Sequence, residues 1–251
     1  MSLDPAAAGI RAVLLDIEGT TTPIAFVFEV LFPYARKHLR EHLERHAGAA
    51  GYPALFDRLH AEHIADRSAG ESPPLWIPEP SREQLASVAR YVEWLMDRDR
   101  KSTGLKELQG LIWEEGYHRG ELASQVFPDV PPALERWVAE GRKVAVFSSG
   151  SVRAQQLLFR HSPAGDLTRF LSHFFDTTTG AKSDPDSYRR IGAALSVPPQ
   201  EVLFVSDVTG ELDAAHAAGM QTRLSVRPGN APVPPGHRHS VVRTFDEVLD
   251  W

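Results

Sequence analysis

The string DIEGTT sets two carboxylates, Asp16 and Glu18, with one residue between them and follows them with Gly19. Carboxylates this close repel each other unless a cation stands between them, and a glycine permits the tight backbone such a turn needs. A hard divalent ion such as magnesium suits them, because it takes one or two protein carboxylates and keeps places for water and phosphate oxygens. Asp207, in VSDVTGE, offers a third carboxylate. Any one of the three alone reads as a helix cap or turn residue; together they read as a cation site. SSGS at 148–151 supplies hydroxyls and backbone N–H groups, which at the start of a helix attract an anion such as phosphate. For Ser148 and Ser149 an anion site and a helix cap fit equally well, whereas Ser151 reads as the cap. Lys182, in TTGAKSDP, would bring a fixed positive charge to the same anion, although a lone lysine is usually solvated. Glu211 is a candidate outer partner of the cation, and Asp213 reads as a charge capping a helix.

Combined, these parts describe phosphoryl transfer. A phosphate monoester dianion repels nucleophiles, so its oxygens must be neutralised by a metal and fixed donors while a carboxylate attacks in line. Asp16 is the candidate nucleophile. Glu18 is the candidate acid that protonates the leaving oxygen and then the base that activates water against the aspartyl-phosphate. Other chemistries lack their parts. GAKS resembles the end of a P-loop, but the first glycine of G-x-x-x-x-G-K-[ST] is missing, and no G-x-G-x-x-G follows a strand. There is no G-x-S-x-G elbow. His60 and His63 lack the H-E-x-x-H spacing, and the scattered histidines read as surface or cap residues.

Three apolar runs must position the cluster: Ala12 to Leu15, Lys143 to Phe147 and Val202 to Val205, each ending in the polar residues above. They read as buried parallel strands. Helical patterns at Pro131 to Glu140, Val152 to Arg160, Pro185 to Leu195 and Glu211 to Ala218 alternate with them. The fold class is therefore α/β, a doubly wound parallel sheet, which binds ligands beyond the carboxyl ends of its strands. Residues 26–125 change character: long helical stretches at Leu31 to His46, Tyr52 to Ala69, Arg82 to Arg98 and Gly104 to Glu121, with no convincing strand. This predicts a catalytic core of 1–25 and 126–251 with a helical domain, 26–125, inserted after the first motif. Pro73, Pro74, Pro78 and Pro80 break the insertion, and Trp76, Trp94 and Trp113 read as its own core. Phe26, Phe28 and Phe32 read as core packing near the hinge. Residues Arg227 to His239 read as a surface loop without chemistry, followed by a strand at Val241 and Val242 and a terminal helix.

Composition narrows the partners. With 251 residues, 42% hydrophobic and 24% charged, the chain is an ordinary folded protein. A net charge of -6 disfavours broad nucleic-acid binding, and the absence of cysteine removes disulfides and thiolate ligands. The start MSLDPAAA has no signal-peptide character and no segment is long enough to span a bilayer, so a cytoplasmic protein is expected.

The ordered set DIEGT, SSGS, Lys182 and SDVTGE resembles the four motifs of haloacid dehalogenase-like phosphatases and spans nearly the whole chain. The usual first motif is D-x-D-G-T, so Glu18 is a departure, and it points to one branch. LLDIEGTTTPIAFV, VFSSGSV, AKSDPDSYRRI, LFVSDVTGE and VRPGNA together resemble the enolase-phosphatase family, or acireductone synthases, of methionine salvage. The resemblance implies enolisation of 2,3-diketo-5-methylthiopentyl-1-phosphate and dephosphorylation of the enol to 1,2-dihydroxy-3-keto-5-methylthiopentene. It implies one Mg2+ per chain at Asp16, Glu18 and Asp207, substrate contacts from Ser148, Ser149 and Lys182, a haloacid dehalogenase-like core with a cap domain, and a monomer. A general sugar-phosphate or phosphoglycolate-type phosphatase shares the same core motifs and is the alternative.

Overall fold

The computed structural model describes residues 9–78 and 82–250. Pro80 and the first eight residues, which include the start read for signal-peptide character, lie outside the described residues, whereas Pro73, Pro74 and Pro78 fall in the irregular stretch 71–78 that interrupts the helices. Six strands form one parallel sheet: β1 Ala12–Leu15, β2 Lys143–Phe147, β3 His173–Phe175, β4 Val202–Ser206, β5 Gln221–Ser225 and β6 Ser240–Val242. Their order is β3-β2-β1-β4-β5-β6. The helices are α1 Phe32–His46, α2 Tyr52–Ser68, α3 Arg82–Met96, α4 Thr103–His118, α5 Val130–Ala139, α6 Val152–Arg160, α7 Pro185–Leu195 and α8 Thr209–Ala217.

The chain divides into two units. One ends at Phe28 and resumes at Ala123; the other is Glu29–Leu122. The first holds the sheet with helices on both faces, the α/β arrangement expected. β1 is central, and every residue of its AVLL run is buried, as an unbroken apolar strand covered on both faces requires. Register aligns Leu15 with Val146 on one side and Val205 on the other, so three strands stop at one level. Leu14, Phe147, Phe204, Tyr188, Ile191 and Leu212 share one core beneath that level.

The second unit is α1 to α4. Trp76, Trp94 and Trp113 are buried in it, as expected, and the Trp113 indole donates to the Leu31 carbonyl at 2.8 Å.

Several expectations are corrected. Phe26 is buried, but Phe28 is 55% exposed, because residues 26–31 form a π-helical turn in which Phe26 and Val27 already occupy the inner side. His42, His63 and His239 are buried, not surface residues. Ring partners make this tolerable: His63 Nε2 meets the Pro74 carbonyl at 2.8 Å and His239 Nδ1 meets Thr222 Oγ1 at 2.8 Å. Among the described residues no helix forms after β6. The backbone N–H groups there are taken by side chains, Arg243 N by Glu247 and Phe245 N by Asp129, which leaves only isolated turns. Asp213 is not a cap: it lies beyond the first turn of α8, and its Oδ1 faces Arg238 Nε and His239 Nε2, both at 3.3 Å.

Candidate active site

Asp16 follows β1 directly, and its N–H donates to the Val205 carbonyl at 2.9 Å, carrying the β1–β4 ladder one residue further. The side chain is thereby fixed at the carboxyl ends of the strands and is almost fully buried. Oδ1 accepts the Ile17 N–H at 2.7 Å and Lys182 Nζ at 2.7 Å. The same ammonium reaches Glu211 Oε2 at 2.6 Å, so one cation bridges two carboxylates. Ser206 Oγ lies 3.3 Å from Asp16 Oδ2 and 3.0 Å from Glu211 Oε2 with one proton to give, and it accepts Val208 N–H at 3.1 Å. Lys182 is held from behind: the buried Tyr188 hydroxyl donates to its carbonyl at 2.7 Å, and Asp184 caps α7 through Asp186 N–H.

Glu18 is tied to the end of β2, where Ser148 Oγ donates to its Oε2 at 3.2 Å. Ser148 also accepts Gly150 N–H at 3.1 Å, so it serves the turn and the site at once. Ser151 is the cap of α6, accepting Ala154 N–H at 3.3 Å. Ser149 stands half-buried in the bend between them.

The electrostatics are those of crowded carboxylates. Burial, and then the Asp16 charge, push Asp207 up to about 7. Burial and Asp16 push Glu211 up to about 7 as well, and they raise Glu18. Burial works against the Lys182 ammonium, but Asp16 and Glu211 more than reverse it and hold it above the ordinary lysine range. Carboxylates raised in this way favour folding fully below their unfolded range and lose that contribution as pH rises through about 7. Once Asp207 and Glu211 ionise, Lys182 faces their charges together with that of Asp16, so the corner calls for a further cation.

Pattern reading missed the residues that hold this corner in shape. Asn230 Nδ2 donates to the Gly19 carbonyl at 2.9 Å, and Arg227 Nε to the Thr20 carbonyl at 3.3 Å. The Arg227 guanidinium is buried and paired with Asp129 at 2.8 Å. Both come from the loop after β5, far along the chain, and only the conspicuous string RPGNA could have drawn attention to them. Gly19 itself has φ 71°, and a Cβ there would fall 2.7 Å from Asp207 Cγ and 3.0 Å from Asn230 Oδ1. Gly19→Ala should therefore displace Asp207. The left-handed backbone alone costs about 1–2 kcal/mol, and a shift of the carboxylate should lower kcat/KM roughly 100-fold. Melting curves and phosphate-release kinetics read the two effects; wild-type values for both would show that the close approach is dispensable.

A family model of haloacid dehalogenase-like hydrolases matches residues 10–219. Enolase-phosphatase E1 of Synechococcus elongatus is 50% identical over 244 residues, 97% of this chain and all of that protein. The chain belongs to the enolase-phosphatase family of haloacid dehalogenase-like hydrolases. A probable bifunctional methylthioribulose-1-phosphate dehydratase/enolase-phosphatase E1 of Populus trichocarpa is 44% identical over 95% of this chain, which covers 47% of that longer protein. The crystal structure of the UTR4 protein of Saccharomyces cerevisiae superposes with a TM-score of 0.76 at 33% identity, covering 94% of this chain and 99% of that one. Phosphatases of this superfamily generally use Mg2+, and the donors here fit it. They are all oxygens, the hard ligands magnesium prefers. Asp207 is raised by burial and then by the Asp16 charge, and the buried Asn230 Oδ1 beside it has no hydrogen-bond partner among the described residues. No helix among those residues is long and apolar enough to cross a membrane.

Proposed function

We propose that the chain converts 2,3-diketo-5-methylthiopentyl-1-phosphate to 1,2-dihydroxy-3-keto-5-methylthiopentene and phosphate, as the enolase-phosphatase of methionine salvage. The phosphatase half rests on one observation above all: Asp16 sits at the end of β1 with Lys182 Nζ 2.7 Å from one carboxylate oxygen. That contact fixes the carboxylate and places a positive charge where phosphate oxygens would gather. The enolase half rests on kinship with relatives of that name.

In this reading Asp16 attacks phosphorus and the ester P–O bond breaks toward the substrate oxygen, which takes a proton from Glu18. Glu18, then a carboxylate, removes a proton from water, whose oxygen attacks phosphorus, frees phosphate and restores Asp16. Burial favours the protonated form of Glu18 before the first step, and the Ser148 hydroxyl at 3.2 Å steadies its charged form before the second. Ser148, Ser149 and Lys182 hold the phosphate. Asp16, Glu18 and Asp207 hold one Mg2+, which when bound neutralises phosphate oxygens. Glu211 acts from the outer side of that group through Lys182 and Ser206. Residues 26–125 serve as the cap that selects substrate and excludes water. The enzyme works as a cytoplasmic monomer on a small phosphorylated metabolite, without nucleic-acid or membrane partners.

The test follows phosphate release and ultraviolet absorbance of the enol in one cuvette, with and without magnesium. Both signals should rise together and only with the ion. Rapid release from ordinary sugar phosphates, with little from the diketone, would instead make this a general phosphatase.

A further inference from the structure

Within the helical unit, away from the carboxylate corner in sequence and chemistry, three ligand-type side chains converge. His42 and His46 lie one helical turn apart on α1, and Glu115 comes from α4. One donor atom from each lies within 4.8 Å of the others. We propose that His42, His46 and Glu115 form a second metal site, for a zinc-class divalent transition ion that clamps α1 to α4.

The geometry of the donors is that of ligands. His42 Nδ1 is 2.7 Å and His46 Nε2 3.4 Å from the same oxygen, Glu115 Oε2, and the two rings stand 4.7 Å apart. Ligands about 2.0–2.2 Å from a tetrahedral zinc are separated by roughly 3.3 Å, so small side-chain adjustments bring all three onto one ion. His46 Nε2 is shielded from solvent and makes no hydrogen bond among the described residues, leaving a donor without other employment. His42 has its second nitrogen held: Nε2 meets the Tyr52 hydroxyl at 2.6 Å, the outer partner that orients a metal-binding imidazole. Glu115 divides its oxygens. Arg45 Nη1 and Arg119 Nε face Oε1, leaving Oε2 to the histidines. Those arginines also serve Glu41 at 3.3 Å and Glu121 at 3.7 Å, which spreads their charge away from the site. Two nitrogens and one oxygen suit zinc, not magnesium. The His46 side chain is 39% exposed, so water can take the fourth position. On binding, the ion takes the lone pair of His42 Nδ1, and the ring's one proton, now directed at Glu115 Oε2, moves to Nε2, where the Tyr52 oxygen accepts it.

The experiment titrates zinc chloride into the full-length protein in saturating magnesium, by calorimetry and by melting. One zinc should bind per chain and raise the Tm. His46→Ala removes a half-exposed side chain with no hydrogen bond at Nε2, so it should fold and keep phosphatase activity; zinc binding should weaken at least about tenfold. Glu115→Gln should weaken it similarly. Absence of zinc uptake by the wild-type chain would overturn the site. So would uptake unchanged in His46→Ala, or uptake lost in Asp207→Asn, which would place zinc at the carboxylate corner.

Discussion

Asp16→Asn should release no measurable phosphate from the diketo phosphate, a loss of about 10⁴-fold or more, while melting close to the wild-type temperature. The chemical half follows from the nucleophile: a carboxamide oxygen cannot attack phosphorus to give an acyl phosphate. The structural half follows from the balance around it. Asn keeps the shape and can still accept the Ile17 N–H that now reaches Oδ1 at 2.7 Å. Losing the charge deprives Lys182 of one of its two carboxylates, but Glu211 remains 2.6 Å away. It also removes the like charge that, after burial, raises Glu18, Asp207 and Glu211. The cost and the relief oppose each other. Parallel phosphate assays and thermal melts decide the matter, and substantial turnover by the variant would remove the covalent mechanism.

That Asp16 could be singled out at all depends on β1, β2 and β4, whose continuous apolar runs mark buried parallel strands and whose ends share one level. β3 and β5 were not legible. His173–Phe175 is three residues long, and Gln221–Ser225 reads as polar because its buried Arg223 and half-buried Thr222 draw on partners distant in sequence, among them the Asp250 carbonyl and His239. The same limit applies within the site. Motif spacing reaches Asp16, Glu18, Lys182 and Asp207, yet nothing local to Ser206 says that its hydroxyl stands between Asp16 and Glu211, or that Asn230 holds the Gly19 carbonyl. The buried histidines fail for a related reason. A polar side chain enters a core when tertiary partners await it, and Tyr52 and Glu115 lie 10 and 73 residues from His42.

Lys182→Ala should lower kcat/KM by roughly 10²–10³-fold, the range for removing one fixed donor at a developing charge, and should also change how stability responds to pH. Its side chain is only 11% exposed, and it is the group that joins Asp16 to Glu211. Without it the two carboxylates keep only the Ser206 hydroxyl between them, so Glu211 rises further and folding becomes more costly wherever Glu211 must ionise. Breaking a buried pair costs about 3–5 kcal/mol, an upper bound here because protonation of Glu211 relieves part of it. The sign is fixed by the direction of the shifts: raised carboxylates contribute to stability at low pH and lose it as pH climbs through their folded values. The variant's Tm should therefore fall below wild type by more at pH 8 than at pH 5.5. Magnesium should recover part of that deficit, since it supplies charge to the same carboxylates, without recovering the rate, since it does not replace the ammonium hydrogen bond that orients Asp16. A Tm deficit independent of pH would mean that the Lys182 side chain contributes its contact with the Phe147 ring but no charge, and unchanged kinetics would return it to the role of a solvated surface lysine.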